Sequence, residues 1–420
     1  MIQIATRPLR QETVIRVPGS KSYTHRLLIA AALSDGRCRI SNPLRSDDIR
    51  FTLHALEQMG IRVRDEAQAI VVQGSRGRLA PCRQPIDIGD SGTSMRLLSG
   101  VAILGEGDYL LTGSSRMQER PMQALLDSLG RLGVRACAEN NNGCPPIVIP
   151  GGYPAKRHTT IDCGTSSQFL SALLLAGPCL PEGLVIDVTR GPVSRPYIDM
   201  TLDIMRLFGI ELRQDGYTHF EIPGAQTYKA GDHAVESDGS QAGYFWAAAA
   251  ITGTRVKVHG VTPASRQGDV GLADVFRQMG CRVTHEPDGT AVTGGALSAV
   301  TVDMGNMPDM VPTLAVVAAF AGGTTVIRNV AHLRAKESDR LAAVSTELAR
   351  MGIKTHCGAD ELHIEGGAPR AAQIQTYNDH RIAMSFAVAG LRVPGMVITG
   401  ETCVKKSFPN FWEVFGELYQ

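Results

Sequence analysis

Six times along the chain a short polar or charged stretch runs into a block of almost unbroken apolar residues. Lys21-Ser22-Tyr23-Thr24-His25-Arg26 leads into residues 27–33, and Gly92-Thr93-Ser94-Met95-Arg96 into 97–104. Gly164-Thr165-Ser166-Ser167-Gln168 leads into 169–175, and Asp238-Gly239-Ser240-Gln241 into 244–250. Met307-Pro308-Asp309 leads into 314–319, and Tyr377-Asn378-Asp379-His380-Arg381 into 382–388. Leu- and Ala-rich blocks of this length, apolar on every side, predict helices buried all round. The polar residues in front of them predict the helix N-termini. At those ends the first backbone N–H groups lack intrahelical partners and the helix dipole is positive. With Lys21 and Arg26 added, the first of these ends suits a phosphate or carboxylate. Gly19-Ser20-Lys21-Ser22 lacks the spacing of a P-loop, so nucleotide binding is not indicated.

A second pattern fixes the period. Met59-Gly60-Ile61, Leu132-Gly133-Val134, Phe208-Gly209-Ile210, Met279-Gly280-Cys281 and Met351-Gly352-Ile353 each read as the glycine-capped end of an amphipathic helix running into a strand. They recur about every 70–76 residues. Gly36, Gly107, Gly183, Gly253, Gly323 and Gly395 keep nearly the same spacing as turn glycines. Six units result, each reading buried helix, glycine turn, strand, second helix, glycine cap, strand, and often one strand more. In the first unit the second helix is expected over 47–59, capped by Ser46 or Asp47, with Ile49, Leu53 and Leu56 on its apolar face. Pro121 and Pro196 are expected to open the second helices of units two and three at the first helical position.

The chain has 420 residues, more than one hydrophobic core usually serves, so two domains of three units are expected, with a boundary near 234–237. Hydrophobic content of 43% and charged content of 20% describe a soluble globular protein. A net charge of +1 argues against a nucleic-acid or membrane surface. The nine cysteines show neither zinc-ligand nor disulfide spacing. No signal-peptide core opens the chain and no apolar run reaches a membrane span, so a cytoplasmic protein is expected.

Basic residues gather at the helix starts: Glu119-Arg120-Pro121, Ser194-Arg195-Pro196-Tyr197, Lys336-Glu337-Ser338-Asp339-Arg340, and Lys405-Lys406-Ser407-Phe408-Pro409. If Lys336 to Arg340 is helical, Lys336 and Arg340 are i, i+4 neighbours and Glu337 and Arg340 i, i+3. Taken singly, each cluster reads equally as a solvated helix face or a plain cap. Taken together with Pro18-Gly19-Ser20-Lys21-Ser22 and Arg26, Asp90-Ser91-Gly92-Thr93 with Met95-Arg96, Ser166-Ser167-Gln168-Phe169, Pro308-Asp309 and Asn378-Asp379-His380-Arg381, they occur in order over nearly the whole chain. In that order the chain resembles the 5-enolpyruvylshikimate-3-phosphate synthase family.

The resemblance implies an α/β fold, a two-domain inside-out α/β barrel of six βαβαββ-type repeats. Residues 20–235 would form the lobe that mainly holds shikimate 3-phosphate. Residues 1–19 with 236–420 would form the lobe of the catalytic carboxylates and part of the phosphoenolpyruvate site, with the crossover near Ser20 and Val235 as a hinge for closure. The implied reaction is attack of the 5-hydroxyl of shikimate 3-phosphate on C2 of phosphoenolpyruvate, followed by loss of phosphate from a tetrahedral intermediate. Carried over by motif, Lys21, Ser22, Arg26, Ser166, Ser167, Ser194, Tyr197, Asp309 and Lys336 would hold shikimate 3-phosphate. Lys21, Gly92, Arg120, Gln168, Arg340, Arg381 and Lys406 would surround phosphoenolpyruvate. Asp309 would be the base for the 5-hydroxyl and Glu337 the acid that protonates the enol methylene, with Lys21 and His380 open as partners in proton transfer.

No cofactor and no metal are implied, the partners are the two small-molecule substrates, and a monomer is expected. Two polyanionic substrates in one dry cleft require several fixed cations, which fits the basic motifs. His332 stands where many members have Asn, and Leu97 where some have Pro. Gly92, rather than Ala, implies sensitivity to glyphosate. Two rival readings stand beside this one. The sister enzyme acting on UDP-N-acetylglucosamine usually has Lys-Asn in place of Lys21-Ser22 and a cysteine in the loop corresponding to 113–120, where this chain has none. A non-catalytic repeat protein docking an acidic partner would need the positive charge but not Glu337.

Overall fold

The computed structural model describes residues 1–420, and the chain divides into two compact units, Gly19–Val235 and Met1–Pro18 with Glu236–Gln420. The first unit carries helices α1 (Lys21–Leu33), α2 (Asp47–Gln58), α3 (Gly92–Val101), α4 (Gln123–Arg131), α5 (Gln168–Ala176) and α6 (Pro196–Leu207). The second carries α7 (Gly239–Thr252), α8 (Leu272–Gln278), α9 (Val311–Ala318), α10 (Arg340–Arg350), α11 (His380–Ala389) and α12 (Phe411–Gly416). The odd-numbered helices follow the apolar blocks of the sequence and are buried along almost their whole length, so each unit has helices inside. The chain is an α/β protein of repeated units, as the sequence pattern and the family resemblance both lead one to expect.

The sheets repeat one plan. In the first, Asp232–Ala234 lies parallel to Arg37–Ser41, which pairs antiparallel with Ala69–Gln73, which pairs antiparallel with Arg62–Glu66. Four further four-stranded sheets share this order, one in each of the next four repeats. The sixth is shorter: Gln373–Ile374 runs parallel to Val397–Ile398, and the N-terminal strand Ile2–Gln3 takes the antiparallel place. Alternation along the strands buries one face, as in Glu12–Arg16 with Thr13 and Ile15 inside.

Glycine caps mark the same point in successive repeats. The glycines that close the second helices of the first five units all adopt left-handed backbone, from Gly209 at φ 78° to Gly280 at φ 106°. Two local expectations are corrected. Pro196 does open α6, but Pro121 lies two residues before α4, because Arg120 turns extended after a short 3₁₀ turn at Met117–Glu119. Lys336 and Glu337 are not helical. Asp339 accepts from the Ala342 N–H at 3.0 Å and so starts α10 only at Arg340, leaving 336–338 as a non-helical connection.

Where central helices meet, small residues set the distance. A Cβ placed on Gly100 of α3 would lie 2.6 Å from the carbonyl oxygen of Ala172 in α5. Alanine favours helix by about 1 kcal/mol over glycine, but here it would press on backbone that cannot move aside. Gly100→Ala is therefore expected to lower stability by about 1–3 kcal/mol, the usual cost of overpacking, read from urea unfolding curves.

Candidate active site

Each unit carries its own cluster at the N-termini of its central helices. In the first, Ser20 caps α1, accepting from the Tyr23 N–H, and Lys21 is the first helical residue. The Lys21 ammonium lies 3.0 Å from the carboxylate of Asp48, which α2 holds with 3% side-chain exposure. Arg26 is fully buried one turn on. Its Nε donates to Thr201 Oγ1 at 2.7 Å, and its other nitrogens donate to the carbonyl oxygens of Ser22 and Tyr197. The guanidinium also stands 5.9 Å from the Tyr197 ring centroid. Burial lowers its pKa to about 10, so it remains a cation near neutrality, held by neutral oxygens.

Gly92 opens α3 behind its cap Ser91. A Cβ there would lie 2.5–2.6 Å from the guanidinium of Arg120, so only glycine leaves that side chain its place. Gln168 opens α5, its side-chain oxygen accepting from Arg96 at 2.9 Å and its amide donating to Thr93 Oγ1 at 3.0 Å. Ser166 and Ser167 precede it, and the Ser166 hydroxyl accepts from the Gln168 N–H at 3.3 Å. Ser194 is buried in left-handed backbone (φ 55°), and its carbonyl accepts from the Tyr197 N–H. Lys21, Ser22, Arg26, Ser194 and Tyr197 thus form one set, and Gly92, Arg120 and Gln168 another. Buried hydroxyls tie them: Thr201 bonds Ser171 of α5, and Thr52 of α2 bonds Ser94 of α3.

The second unit's cluster is ionic. Arg340, 1% exposed, donates from NH1 to Asp309 at 2.7 Å, from NH2 to Glu337 at 2.9 Å, and from Nε to Asp379 at 2.8 Å. Asp379 also caps α11, accepting from the Arg381 N–H at 2.9 Å and from the Ser338 hydroxyl at 3.0 Å. Arg381 reaches back to Asp309 at 3.0 Å and donates to the Tyr244 hydroxyl at 3.0 Å. Lys406 stands 3.8 Å from Glu337. Asp309, Glu337, Arg340, Arg381 and Lys406 therefore form one contiguous group, and the charge of Lys336 acts on Asp309 as well.

The charges decide the protonation states. Burial alone would raise the Asp309 pKa, but Arg381, Arg340 and Lys336 outweigh it and hold the carboxyl well below the usual range. Burial opposes the charge on Arg340, and Asp379, Glu337 and Asp309 more than restore it. Burial, the largest influence, pushes Tyr244 up to about 12, so its hydroxyl stays protonated. His332 is neutral: burial first, then Lys336, lower its pKa to about 3, and its Nε2 has no hydrogen-bond partner.

Several of these residues escape a reading of the sequence. Asp48 looks like one of two acids in the first turn of α2, and although Thr93 and Arg96 lie within the motifs quoted above, nothing local shows that both bond Gln168. Asp379 reads as an ordinary cap before α11, and nothing local shows that the same carboxylate clamps Arg340. Tyr244 reads as core. The one usable signal is an acid immediately before a buried helix that also carries Arg in its first turn.

Comparison with known proteins identifies the family. The sequence model described as EPSP synthase (3-phosphoshikimate 1-carboxyvinyltransferase) matches residues 5–415. The chain belongs to the EPSP synthase family. It is 46% identical to the 3-phosphoshikimate 1-carboxyvinyltransferase of Syntrophobacter fumaroxidans, over 96% of each chain. It is 42% identical to the enzyme of that name from Methanospirillum hungatei, over 96% of this chain and 95% of that one. Among solved structures it is similar to the EPSP synthase from Acinetobacter baumannii, with TM-score 0.83, 28% identity, and coverage of 100% of this chain and 97% of that one. The enolpyruvyl transferase NikO from Streptomyces tendae, at 20% identity and TM-score 0.75, shares the fold. As a member of the EPSP synthase family the chain is an enzyme that transfers the enolpyruvyl group of phosphoenolpyruvate to shikimate 3-phosphate, in aromatic amino-acid biosynthesis. No helix is long and apolar enough to cross a membrane.

His332 supplies a pH test. Its folded pKa, about 3, lies below the ordinary 6.5, so the unfolded chain binds a proton that the folded chain refuses. Its contribution to stability is complete above pH 6.5 and is lost as pH falls towards 3, at up to about 1.4 kcal/mol per pH unit. His332→Asn is expected to remove this loss, so urea unfolding between pH 6 and 4.5 should fall less steeply for the variant than for the wild type.

Proposed function

We propose that the two clusters divide the family's reaction between them. Lys21, Ser22, Arg26, Ser166, Ser167, Ser194 and Tyr197 bind shikimate 3-phosphate from the first unit, and Asp309 and Lys336 bind it from the second. Lys21, Gly92, Arg120, Gln168, Arg340, Arg381 and Lys406 surround phosphoenolpyruvate. The observation that carries this reading is the triple clamp on Arg340, which brings the two carboxylates assigned to proton transfer, Asp309 and Glu337, to one guanidinium.

The clamp also explains how a carboxylate so acidic can serve as a base. Arg340 and Arg381 stabilise ionised Asp309 in the free protein. An anionic substrate binding those same guanidiniums takes part of their field away from Asp309, which raises its proton affinity just where the 5-hydroxyl arrives. In the addition step Asp309 takes the hydroxyl proton, the oxygen bonds to C2 of phosphoenolpyruvate, and Glu337 delivers a proton to C3. In the elimination step a proton leaves C3 for Glu337, the C2–C3 double bond re-forms, and the C2–O bond to phosphate breaks. The fixed cations stabilise the departing phosphate. The partners are therefore two small anionic molecules, and the chemistry requires neither cofactor nor metal.

Phosphate release tests the reading directly. It should require both phosphoenolpyruvate and shikimate 3-phosphate, and UDP-N-acetylglucosamine should not replace the latter. Glu337→Gln is expected to cut kcat by about 10²-fold or more while calorimetric binding of shikimate 3-phosphate is retained, whereas a charge-docking protein would be indifferent to the change. Gly92→Ala displaces the Arg120 guanidinium, so KM for phosphoenolpyruvate and the inhibition constant of glyphosate should both rise, measured by steady-state kinetics.

A further inference from the structure

Glu347 is a buried acid that the reaction does not use. It sits on α10 between core residues Val344 and Leu348, with its side chain wholly covered. The nearest cation is Arg350, half exposed, whose Nε is 3.4 Å from Oε1. A buried carboxylate with so weak a counter-charge is a burden on folding unless its oxygens are well used. They are: Oε1 accepts from the Tyr377 hydroxyl at 2.7 Å, and Oε2 accepts from the Gln375 backbone N–H at 3.0 Å.

The segment so held is unusual. Tyr377 and Asn378 are consecutive non-glycine residues in left-handed backbone, each at φ 53°. L-residues disfavour that region, and for an aromatic residue it is an outlier that surrounding contacts must impose. One carboxylate grips both ends of the turn, the backbone at Gln375 and the side chain at Tyr377. The Asp379 N–H closes it on the Thr376 carbonyl at 2.8 Å. The next residues are Asp379, which clamps Arg340, and Arg381, which holds Asp309.

We propose that Glu347 is a positioning residue: by fixing the left-handed turn at 375–378 it sets where Asp379 and Arg381 stand in the second unit's cluster. The inference rests on the placing of Arg381 and Asp309 in the active site. Although the residue is exposed, partial desolvation and the bond to Glu347 push the Tyr377 hydroxyl up to about 12, so it remains a donor at any working pH. A purely packing role would be met as well by an apolar residue of similar volume, which would leave the Gln375 N–H without the acceptor that Glu347 supplies.

The test uses Glu347→Gln and Tyr377→Phe in the full chain. The amide of the first offers one acceptor where two are needed, and the second removes only the hydroxyl. Normalised to folded protein, kcat/KM for phosphoenolpyruvate is expected to fall tenfold or more in Glu347→Gln and about threefold to tenfold in Tyr377→Phe. Amide exchange at Asp379 and Arg381 should quicken at least tenfold in both variants while α9 is unchanged. A residue that merely supports the fold would lower the thermal midpoint and move neither readout. Unchanged kinetics in an active wild-type background, or unchanged exchange at 379–381, overturns the proposal, and should Glu347→Gln fail to fold, Tyr377→Phe decides it alone. A wild type that releases no phosphate from the substrate pair would instead sink the assignment of the reaction, and the exchange measurement would still judge Glu347.

Discussion

One buried guanidinium organises the second unit. Arg340 spends Nε, NH1 and NH2 on three carboxylates that come from three separate places in the chain: the start of α9, the connection at 336–338, and the cap of α11. Only the planar, multiply donating head of arginine can do this, since an ammonium cannot meet three acceptors in one fixed plane. Buried charges repay their desolvation only when geometry is good and every remaining donor is met. Removing Arg340 would leave the buried Asp379 without its guanidinium, a loss of the kind that commonly costs about 3–5 kcal/mol. Asp309, Glu337 and Asp379 are thereby held still before any substrate arrives. Preorganisation of this kind is what electrostatic catalysis requires.

The first unit solves the same problem with different material. Its helix ends are joined by hydroxyls and amides, in the run His25, Thr52, Ser94 and Ser91 and in the bonds of Gln168 to Arg96 and Thr93. Arg26 stays charged among neutral oxygens. A cation that is hydrogen-bonded but not neutralised keeps its field for an incoming anion, whereas Asp309 already absorbs much of the field of Arg340 and Arg381. The two units therefore differ in what they offer: the first a preset positive site, the second carboxylates whose basicity follows the charge placed beside them.

The sequence makes local features legible and hides those that depend on distant partners. The buried helices, their polar starts and the glycine caps are each decided within a few residues, so the sixfold period could be read and the sheets of the structure follow it. The 3₁₀ turn before Arg120 and the capping by Asp339 were missed, because either start is compatible with the same residues until Arg334 and the Ala342 N–H choose Asp339 as the cap. The basic motifs were visible one at a time, but their meaning came from the order in which they recur and the family that order resembles. Asp48 and Glu347 carry no local mark, and Asp379 only that of an acid before a buried helix with Arg in its first turn. Each is an acid on a helix or at its cap, and only the fold shows that its partner lies 27 to 39 residues away.

The same logic explains why residues 1–18 belong to the second unit. Three repeats leave the first unit lacking one edge strand and the second lacking two, and each takes them from outside its own helices. In the first unit Asp232–Ala234 returns to pair with Arg37–Ser41, and the Val235 N–H and carbonyl bond Ser41 and Asn42. In the second, Glu12–Arg16 pairs with Arg255–His259, Ile2–Gln3 completes the short sixth sheet, and the Asp238 N–H bonds the Pro18 carbonyl. Both chain crossings, 18–19 and 235–236, thus lie beside edge strands and immediately before capped helices, α1 and α7. The first residues after each crossing are those that begin a cluster, Lys21 in one unit and the Asp238 cap, whose charge acts on Arg381, in the other. Closing the sheets and placing the first charged groups of each cluster are therefore one structural requirement, met by the same few residues.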